Sequence, residues 1–592
     1  MSRSRSDDLD VRELAASPVH RAVWDRHVPV ELFESTEPVV SEPVRSAMDH
    51  VLADVRARVR DGSVYGPDGL VSDEMLRDLA ADGYWRLRVD PAHGGLGASF
   101  STFARLLSDV VAVNIPIGVL ASTQAALGPV TTLLAFGTDE QKDRLLPLLA
   151  RGERLGAFAT TEPGTSSDLR AISTEAVRDG DRLLLTGEKL LITNAAPGRL
   201  ANVMCRVDGD LRMLLVELPD REDEAFHTLT YGLQAFRHLQ NHGLVFQRLP
   251  VPAANLLPGD GRVIAYHALN HGRVAICAGT VGMMRQMLAS LSPWVQTRET
   301  FGAPIGSREL VQRRVGRLAA RLVGCEAVAA WSTQLLDGGY RGELEGVIAK
   351  VFSTESLKEA TVDVLLKTHG GRALLDGNLF ADQVHELLAP TVFEGENEIL
   401  TLGFFGGLSR AHGDAVLAPM RQALGAVTEP VPTRERVGRA VAAGRPLTSY
   451  AGWVGRRTVQ RLTPKARGTA VTDLDWLTDL AARLLQQTGL EISTAMRREG
   501  GRLAQHQAAV FDLAQRVQWA AVMLVTSRYG ARQVDPLVRR AAACMAAELA
   551  DRLTRARPSG AYYRALTELG AEVATGRFAP TAASVELAAA TR

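Results

Sequence analysis

The sequence predicts a mainly α-helical protein with a central β-domain, and three observations carry that expectation. The stretch Gly156–Asn194 holds short alternating runs such as Ala176–Val177 and Leu183–Thr186, broken by turn signals at Asp179-Gly180-Asp181 and Gly187-Glu188. Short strands joined by tight hairpins require that pattern. Beyond Asn194, the runs ANVMCRVDG, RMLLVELP and HGLVFQRLPVP alternate or stay apolar at strand length until the turn-rich Asn255–Gly261. On either side of this middle, apolar residues recur at helical spacing over long stretches.

Taken in order, residues 1–40 are polar and proline-punctuated, and no fixed structure is expected there. Residues 41–155 predict an N-terminal helical domain. Helices are expected from Glu42 and Asp73, then over Phe103–Val113, Ile117–Phe136 and Glu140–Ala150, with RVDPAHGGLGAS as a loop. The β-domain is expected over 156–262. Residues 263–410 predict long helices at Val263–Glu299, Arg308–Leu336, Glu343–Gly370 and Ala381–Leu388, lengths that suit an antiparallel bundle. Residues 411–592 predict a helical extension, patterned most strongly over Leu474–Gln487, Arg502–Arg528 and Leu537–Arg555.

At 592 residues there is room for several domains and a large core. Lys plus Arg and Asp plus Glu cancel at 67 each, so no global charge draws the chain to nucleic acid or to an anionic membrane. Arg greatly outnumbers Lys, which weakens any argument from an Arg cluster alone. The four cysteines (Cys205, Cys277, Cys325, Cys544) lack ligand-like spacing, and the expectation is buried free thiols with no metal site. MSRSRSDDLDVRE lacks the apolar core of a signal peptide, and no run reads as the ~20 apolar residues of a membrane span. A cytoplasmic protein is expected.

Hydroxyl residues cluster at Thr160, Thr161, Thr165, Ser166, Ser167 and Thr193, where turns present them to a polar ring or a phosphate. By composition alone these are ordinary sheet and turn residues. The motifs TEPGTSSD, GEKLLITN and, two hundred residues on, FEGENEIL resemble the flavin-binding and catalytic motifs of the acyl-CoA dehydrogenase family in order and separation. The similarity runs from about Asp68 to Gly407, and the helical extension resembles that of the long form, the very-long-chain acyl-CoA dehydrogenases. This resemblance implies an N-terminal helical domain, a β-barrel-like middle domain, a C-terminal helical bundle and an extra helical domain. It also implies FAD and α,β-dehydrogenation of an acyl thioester on coenzyme A or acyl carrier protein, with electrons passing to an electron-transfer flavoprotein.

Residue by residue, the resemblance makes Glu394 the catalytic base, with its own N–H as donor to the thioester carbonyl. A carboxylate serves in that role only if desolvated. Some family members carry the base on the first bundle helix, at the position of Gly272 here, so the glycine favours Glu394. Arg273 matches an Arg near substrate and base, and Ser167 lies where phosphates of substrate or cofactor pass. Phe158, Thr160, Thr161, Leu191, Ile192 and Thr193 match positions around the flavin ring. Arg298, Thr300, Phe301 and Gln312 match contacts to the FAD of a neighbouring subunit, which implies a homodimer. Lys367, Gly370, Gly371, Glu396 and Asn397 complete the implied cofactor set.

Four positions depart from the family pattern. Leu191 stands where a Trp is usual, Glu396 where a Thr is, Lys367 where a Gln is, and His385-Glu386 where Arg-Asp is. A carboxylate near a diphosphate repels it, so Lys367 is expected to offset Glu396. Leu191 raises the alternative of an oxidase open to dioxygen, and the altered contacts together raise that of a silent scaffold with the same fold. Residues 434–467 are strongly basic and interleaved with Tyr450 and Trp453, which suggests docking to anionic lipid at the inner membrane face or to a carrier protein.

Overall fold

The computed structural model describes residues 16–420, 444, 447–459 and 473–581. Most of the N-terminal helices start just after a short polar side chain. Helix α1 (Pro18–Trp24) and α2 (Glu42–Asp61) carry a proline in their first turn. Ser72 and Ser99 accept the third backbone N–H of α3 (Asp73–Ala81) and α4 (Phe100–Val111). The helix expected over 117–136 is divided into α5 (Ile115–Ser122), a π-turn and α6 (Pro129–Phe136). Pro129 has no N–H to continue the ladder, and Gly128 before it is extended. Helix α7 (Asp139–Ala150) opens with a reciprocal cap between Thr138 and Gln141.

The middle of the chain forms a seven-stranded sheet from β1 (Gly156–Ala159), β2 (Glu175–Asp179), β3 (Arg182–Thr193), β4 (Leu200–Val207), β5 (Asp210–Glu217), β6 (Phe226–Thr230) and β7 (Asn241–Pro252). Its order is β1-β4-β2-β3-β7-β6, with β5 branching from β4. β4 runs parallel to β1 and β2, while the other ladders are antiparallel. Among the described residues the ladder runs from β1 to β6 with β5 as its branch, and it forms the central sheet domain expected for this part of the chain. One core of the sheet gathers Leu183, Leu185, Val203, Val216, Phe226 and Phe246. A second gathers Phe158, Leu200 and Met213 with α6, α7 and the start of the next helix.

That helix, α8 (Gly261–Thr297), is the axis of the bundle and is buried along most of Asn270–Met284. Around it pack α9 (Glu309–Asp337), α10 (Glu343–Glu359), α11 (Leu379–Leu388) and α12 (Asn397–His412). The extension supplies α13 (Leu474–Glu499), α14 (Gln507–Arg532), α15 (Pro536–Thr554) and α16 (Gly560–Ala574), and it shares the bundle's core. Helices α9 and α16 approach at two facing glycines. A methyl group on Gly570 would overlap the Gln312 carbonyl, and one on Gly316 would overlap that of Leu566. Beside this crossing, the buried Arg321 guanidinium donates to Glu359 at 2.7 Å and to Glu548 at 2.8 Å, tying α9 and α10 to α15.

Two expectations are corrected. Within residues 1–40, α1 is held firmly: Val19, Ala22 and Val23 are fully buried, Ser17 bonds to the buried Glu345, and Trp24 stacks on His412 at 3.9 Å. Second, three helical stretches, Ile115–Phe136, Gly261–Thr297 and Gln507–Arg532, are long and apolar enough to cross a membrane. Between 56% and 78% of their apolar windows is buried inside the protein, so the bundle itself accounts for their composition.

Gly570→Leu should force α16 off α9. The expected loss is on the order of 1–3 kcal/mol, read as a lower Tm with the N-terminal and sheet modules intact by limited proteolysis.

Candidate active site

A cavity of about 1190 Å³ runs between the sheet module and the bundle. Its bundle wall is built around the turn joining α11 to α12. Pro390 ends the first helix, Asn397 begins the second, and between them Glu394 (φ 55°) and Gly395 (φ 100°) both take left-handed backbone. Glycine adopts that conformation without penalty, but a glutamate there is strained and must be held by its surroundings. The turn delivers Glu394 against α8. Gly272 leaves the space it fills, since a methyl group at 272 would overlap its carboxylate. Arg273 Nε donates to the Glu394 carbonyl at 3.4 Å, and its Nη1 to Asn270 Oδ1 at 3.3 Å. Among the described residues, Glu394 Oε2 is buried without a hydrogen-bond partner and no acceptor takes the Glu394 N–H. Burial pushes the carboxyl up to about 7, against the lowering pull of Arg273 and Lys350.

The sheet wall comes from β1, β3 and the loop between β1 and β2. Phe158, Thr160, Thr161, Ser167, Leu191, Ile192 and Thr193 all line the cavity, with Arg273, Glu394 and Glu396 opposite. The hydroxyls of Thr160, Thr161, Ser167 and Thr193 make no hydrogen bond to another described protein group. Leu191 takes left-handed backbone and is 56% exposed at the rim. The loop owes its shape to a buried ion pair within the two sequence motifs. Lys189 Nζ donates to Glu162 Oε1 at 2.8 Å and to the Met204 carbonyl at 2.6 Å. Glu162 also accepts from the backbone of Ser173 and Thr174 at 2.7 and 3.0 Å. Burial raises the Glu162 carboxyl, but Lys189 and these donors outweigh it and hold the group at about 2.

The other expected site residues divide into two groups. Arg298, Thr300, Phe301, Gln312, Lys367, Gly370 and Gly371 lie outside the cavity, around the end of α8 and the hairpin β8 (Glu299–Thr300)–β9 (Ala303–Pro304). Arg298 and Arg372 flank Trp294, and Phe301 is 98% exposed at the hairpin tip. Asn397, expected at the cofactor, instead has its whole side chain committed: it accepts from Lys350 and donates to Thr354 and Glu355. Nor does Lys367 offset Glu396. Lys367 pairs with Asp363 one turn earlier, while the Glu396 carboxylate caps α12 by accepting from Glu398 N and Ile399 N at 2.9 and 3.0 Å.

Two further positions gain a physical account. Glu386 accepts from Phe236 N at 3.0 Å, and Phe236 meets Phe393 edge to face at 5.7 Å, so this acid ties the sheet module to the turn that carries Glu394. In the basic segment, part of 434–467 lies outside the described residues. The described helix at 447–459 turns its aromatics inward. Tyr450 bonds Ser493, Trp453 lies at 6.1 Å from Trp24, and Arg457 donates to the Val23 and Asp25 carbonyls.

Sequence reasoning missed Lys350 and the Glu162–Lys189 pair. The signal was present: the chain has six lysines against sixty-one arginines, and Lys189 and Lys350 are both fully buried.

The fold and cavity define a class in which a helical bundle supplies a buried acid and a sheet module faces it with unpartnered hydroxyls. The models of the acyl-CoA dehydrogenase N-terminal, middle and C-terminal domains match residues 36–153, 157–248 and 259–403. The chain belongs to the acyl-CoA dehydrogenase family. The probable acyl-CoA dehydrogenase FadE10 of Mycobacterium tuberculosis is 31% identical over 363 residues, 58% of this chain and 55% of that protein. The very long-chain specific acyl-CoA dehydrogenase of rat mitochondria is 27% identical over 351 residues, 56% of this chain and 52% of that one. The chain thus aligns over about half the length of these curated relatives. A crystal structure of an acyl-CoA dehydrogenase complexed with FAD from Bacillus anthracis has the same fold, with TM-score 0.71 over 96% of this chain and 97% of the other at 20% identity.

Lys189→Met should leave Glu162 buried and unpaired, at a cost of about 3–5 kcal/mol in thermal or denaturant unfolding, with Glu162→Gln in the same chain recovering part of it. Because the folded Glu162 sits below its usual 4.5, the wild-type pair should stabilise fully above about pH 4.5, the contribution fading as pH falls toward 2.

Proposed function

We propose that this protein is an FAD-dependent acyl-thioester dehydrogenase that introduces a trans-2,3 double bond into a medium-to-long acyl chain carried on coenzyme A or acyl carrier protein. The observation that carries the reading is Glu394, which lines a large cavity and keeps one carboxylate oxygen, Oε2, buried without a hydrogen-bond partner among the described residues. Removing a proton from the carbon next to a thioester calls for such a base. The unpartnered Glu394 N–H is suited to the developing negative charge on the thioester oxygen. Arg273 bonds the Glu394 carbonyl and fixes the turn from which both groups act.

The residues fit FAD. Phe158 and Ile192 offer apolar wall, while the hydroxyls of Thr160, Thr161, Ser167 and Thr193 lack partners among the described residues where a polar ring and phosphate would be held. When bound, FAD supplies the two-electron acceptor that no side chain provides. The far end of the cavity is lined by Leu107, Val111, Val119, Ile276, Gly279 and Met283, and a side chain added at Gly279 would meet open space. This apolar depth supports a medium-to-long chain. Arg298, Thr300, Phe301, Gln312, Lys367, Gly370 and Gly371, gathered on a separate surface, would serve the cofactor of a second copy in a homodimer.

An electron-transfer flavoprotein as acceptor belongs to the same proposal, as does a cytoplasmic location with peripheral docking at the membrane face or to a carrier protein through 434–467. A second reading, an oxidase using dioxygen, is favoured by Leu191, which leaves the cavity rim 56% exposed at that residue. Hydrogen peroxide formed on turnover in air would select it.

The purified protein should be yellow, and anaerobic addition of a long-chain acyl-CoA should bleach it. Glu394→Gln should slow bleaching by at least about 10²-fold. Because the base works deprotonated, the rate should rise with pH through about 7. A yellow protein that bleaches with neither acyl-CoA nor acyl-carrier thioesters would overturn the reading.

A further inference from the structure

Lys350 lies in the middle of α10 and is fully buried. Its Nζ donates to the Thr391 carbonyl at 3.2 Å, the Gly395 carbonyl at 2.6 Å and Asn397 Oδ1 at 2.7 Å. The amide of Asn397 is oriented by its own donation to Thr354 Oγ1 at 3.0 Å and Glu355 Oε1 at 2.8 Å, so Oδ1 is the atom that faces Lys350. Three acceptors therefore surround one nitrogen. A neutral amine has two N–H bonds to give and an ammonium three, so only the charged form satisfies all three acceptors.

The three acceptors straddle Glu394 in sequence. One precedes it and two follow, and the backbone they span contains the two left-handed residues of the turn. Strained backbone persists only where the surroundings over-determine it, and here a single ammonium grips both sides of the strained segment.

We propose that Lys350 is the positioning residue of this site: its ammonium holds the 391–397 turn in the form that aims Glu394 at the cavity, and its charge keeps that buried carboxylate ionisable. The proposal rests on the reading of Glu394 as the base. Lys350 acts through Glu394 and the turn and is not itself assigned to the reacting atoms.

The charged groups around the pair come from three places. Arg273 faces Glu394 from α8 and Lys350 faces it from α10. Lys350 in turn feels Glu394, Arg273, Glu396 of the turn and Glu355 of its own helix. Burial pulls Lys350 down to about 7 and pushes Glu394 up to about 7, so each group's charge governs the other's titration. The sign is fixed by Coulomb's law. Losing the positive charge disfavours the Glu394 carboxylate and moves its titration to higher pH.

The test is an infrared difference titration of wild type against Glu394→Gln, which isolates the Glu394 carboxyl band, repeated in the Lys350→Met and Lys350→Arg backgrounds. Lys350→Met should move the midpoint up by about one pH unit or more, a ten-fold change in proton affinity. Lys350→Arg, which keeps the charge, should return it toward wild type. An unchanged midpoint in Lys350→Met would overturn the proposal, because a merely structural lysine does not alter the titration. Asn397→Ala keeps the ammonium and removes one of its three acceptors. It should move the midpoint less than Lys350→Met does while kcat falls about ten-fold and KM changes little, and an unchanged kcat would count against the positioning role. Should Lys350→Met not fold, Asn397→Ala decides. The infrared midpoint needs no turnover, so inactivity toward every acyl thioester would refute the dehydrogenase reading while leaving the Lys350–Glu394 coupling measurable.

Discussion

Everything in this site depends on taking one carboxylate oxygen, Oε2 of Glu394, out of water without pairing it. Glu394 reaches its place because Gly272 offers no side chain, and it stays there because a strained turn is gripped from behind. Desolvation alone would raise the carboxyl further and make it useless as a base near neutrality. Arg273 and Lys350 oppose that rise through their charge, from two different helices. In the proposed role of base, the group would thereby keep enough proton affinity to act and enough charge to be ready.

The rest of the architecture keeps this balance in register. Under the proposed function the base, Glu394, rides on a turn between α11 and α12 while Arg273 and Lys350 sit on α8 and α10, so the relative placement of four helices would set the chemistry. The extension reinforces that placement through the Gly316–Gly570 crossing and the Arg321–Glu548 contact. The sheet module is joined to the same turn through Glu386 and the Phe236–Phe393 contact. Its own loop is pinned by Lys189 and Glu162, so the wall bearing Thr160, Thr161 and Thr193 has a fixed relation to the base.

Much of this was legible in the residues. Alternation in the middle and helical period on the flanks located the sheet and bundle, and the family resemblance, with glycine at 272, singled out Glu394, which the fold seats against that glycine. What the sequence concealed were contacts between residues distant in the chain. Lys350 reads as an ordinary helical lysine until its three acceptors, forty or more residues on, are seen to be the turn itself. Glu396 looked like a charge in need of a partner, whereas α12's own N–H groups satisfy it. Polar, proline-rich residues near the start concealed α1, because Val19 and Val23 become a buried face only once the extension is in place. The apolar length of α8 and α14 is ambiguous in one dimension, since a bundle axis and a membrane span share a composition.

The most direct test of the account is a crystal structure with FAD and an unreactive acyl thioester bound. The α-carbon should lie about 3–3.5 Å from a Glu394 carboxylate oxygen, the near-attack separation for proton removal, with the acyl chain directed toward Gly279. A thioester bound elsewhere, or an α-carbon approached by water instead of Glu394, would contradict it.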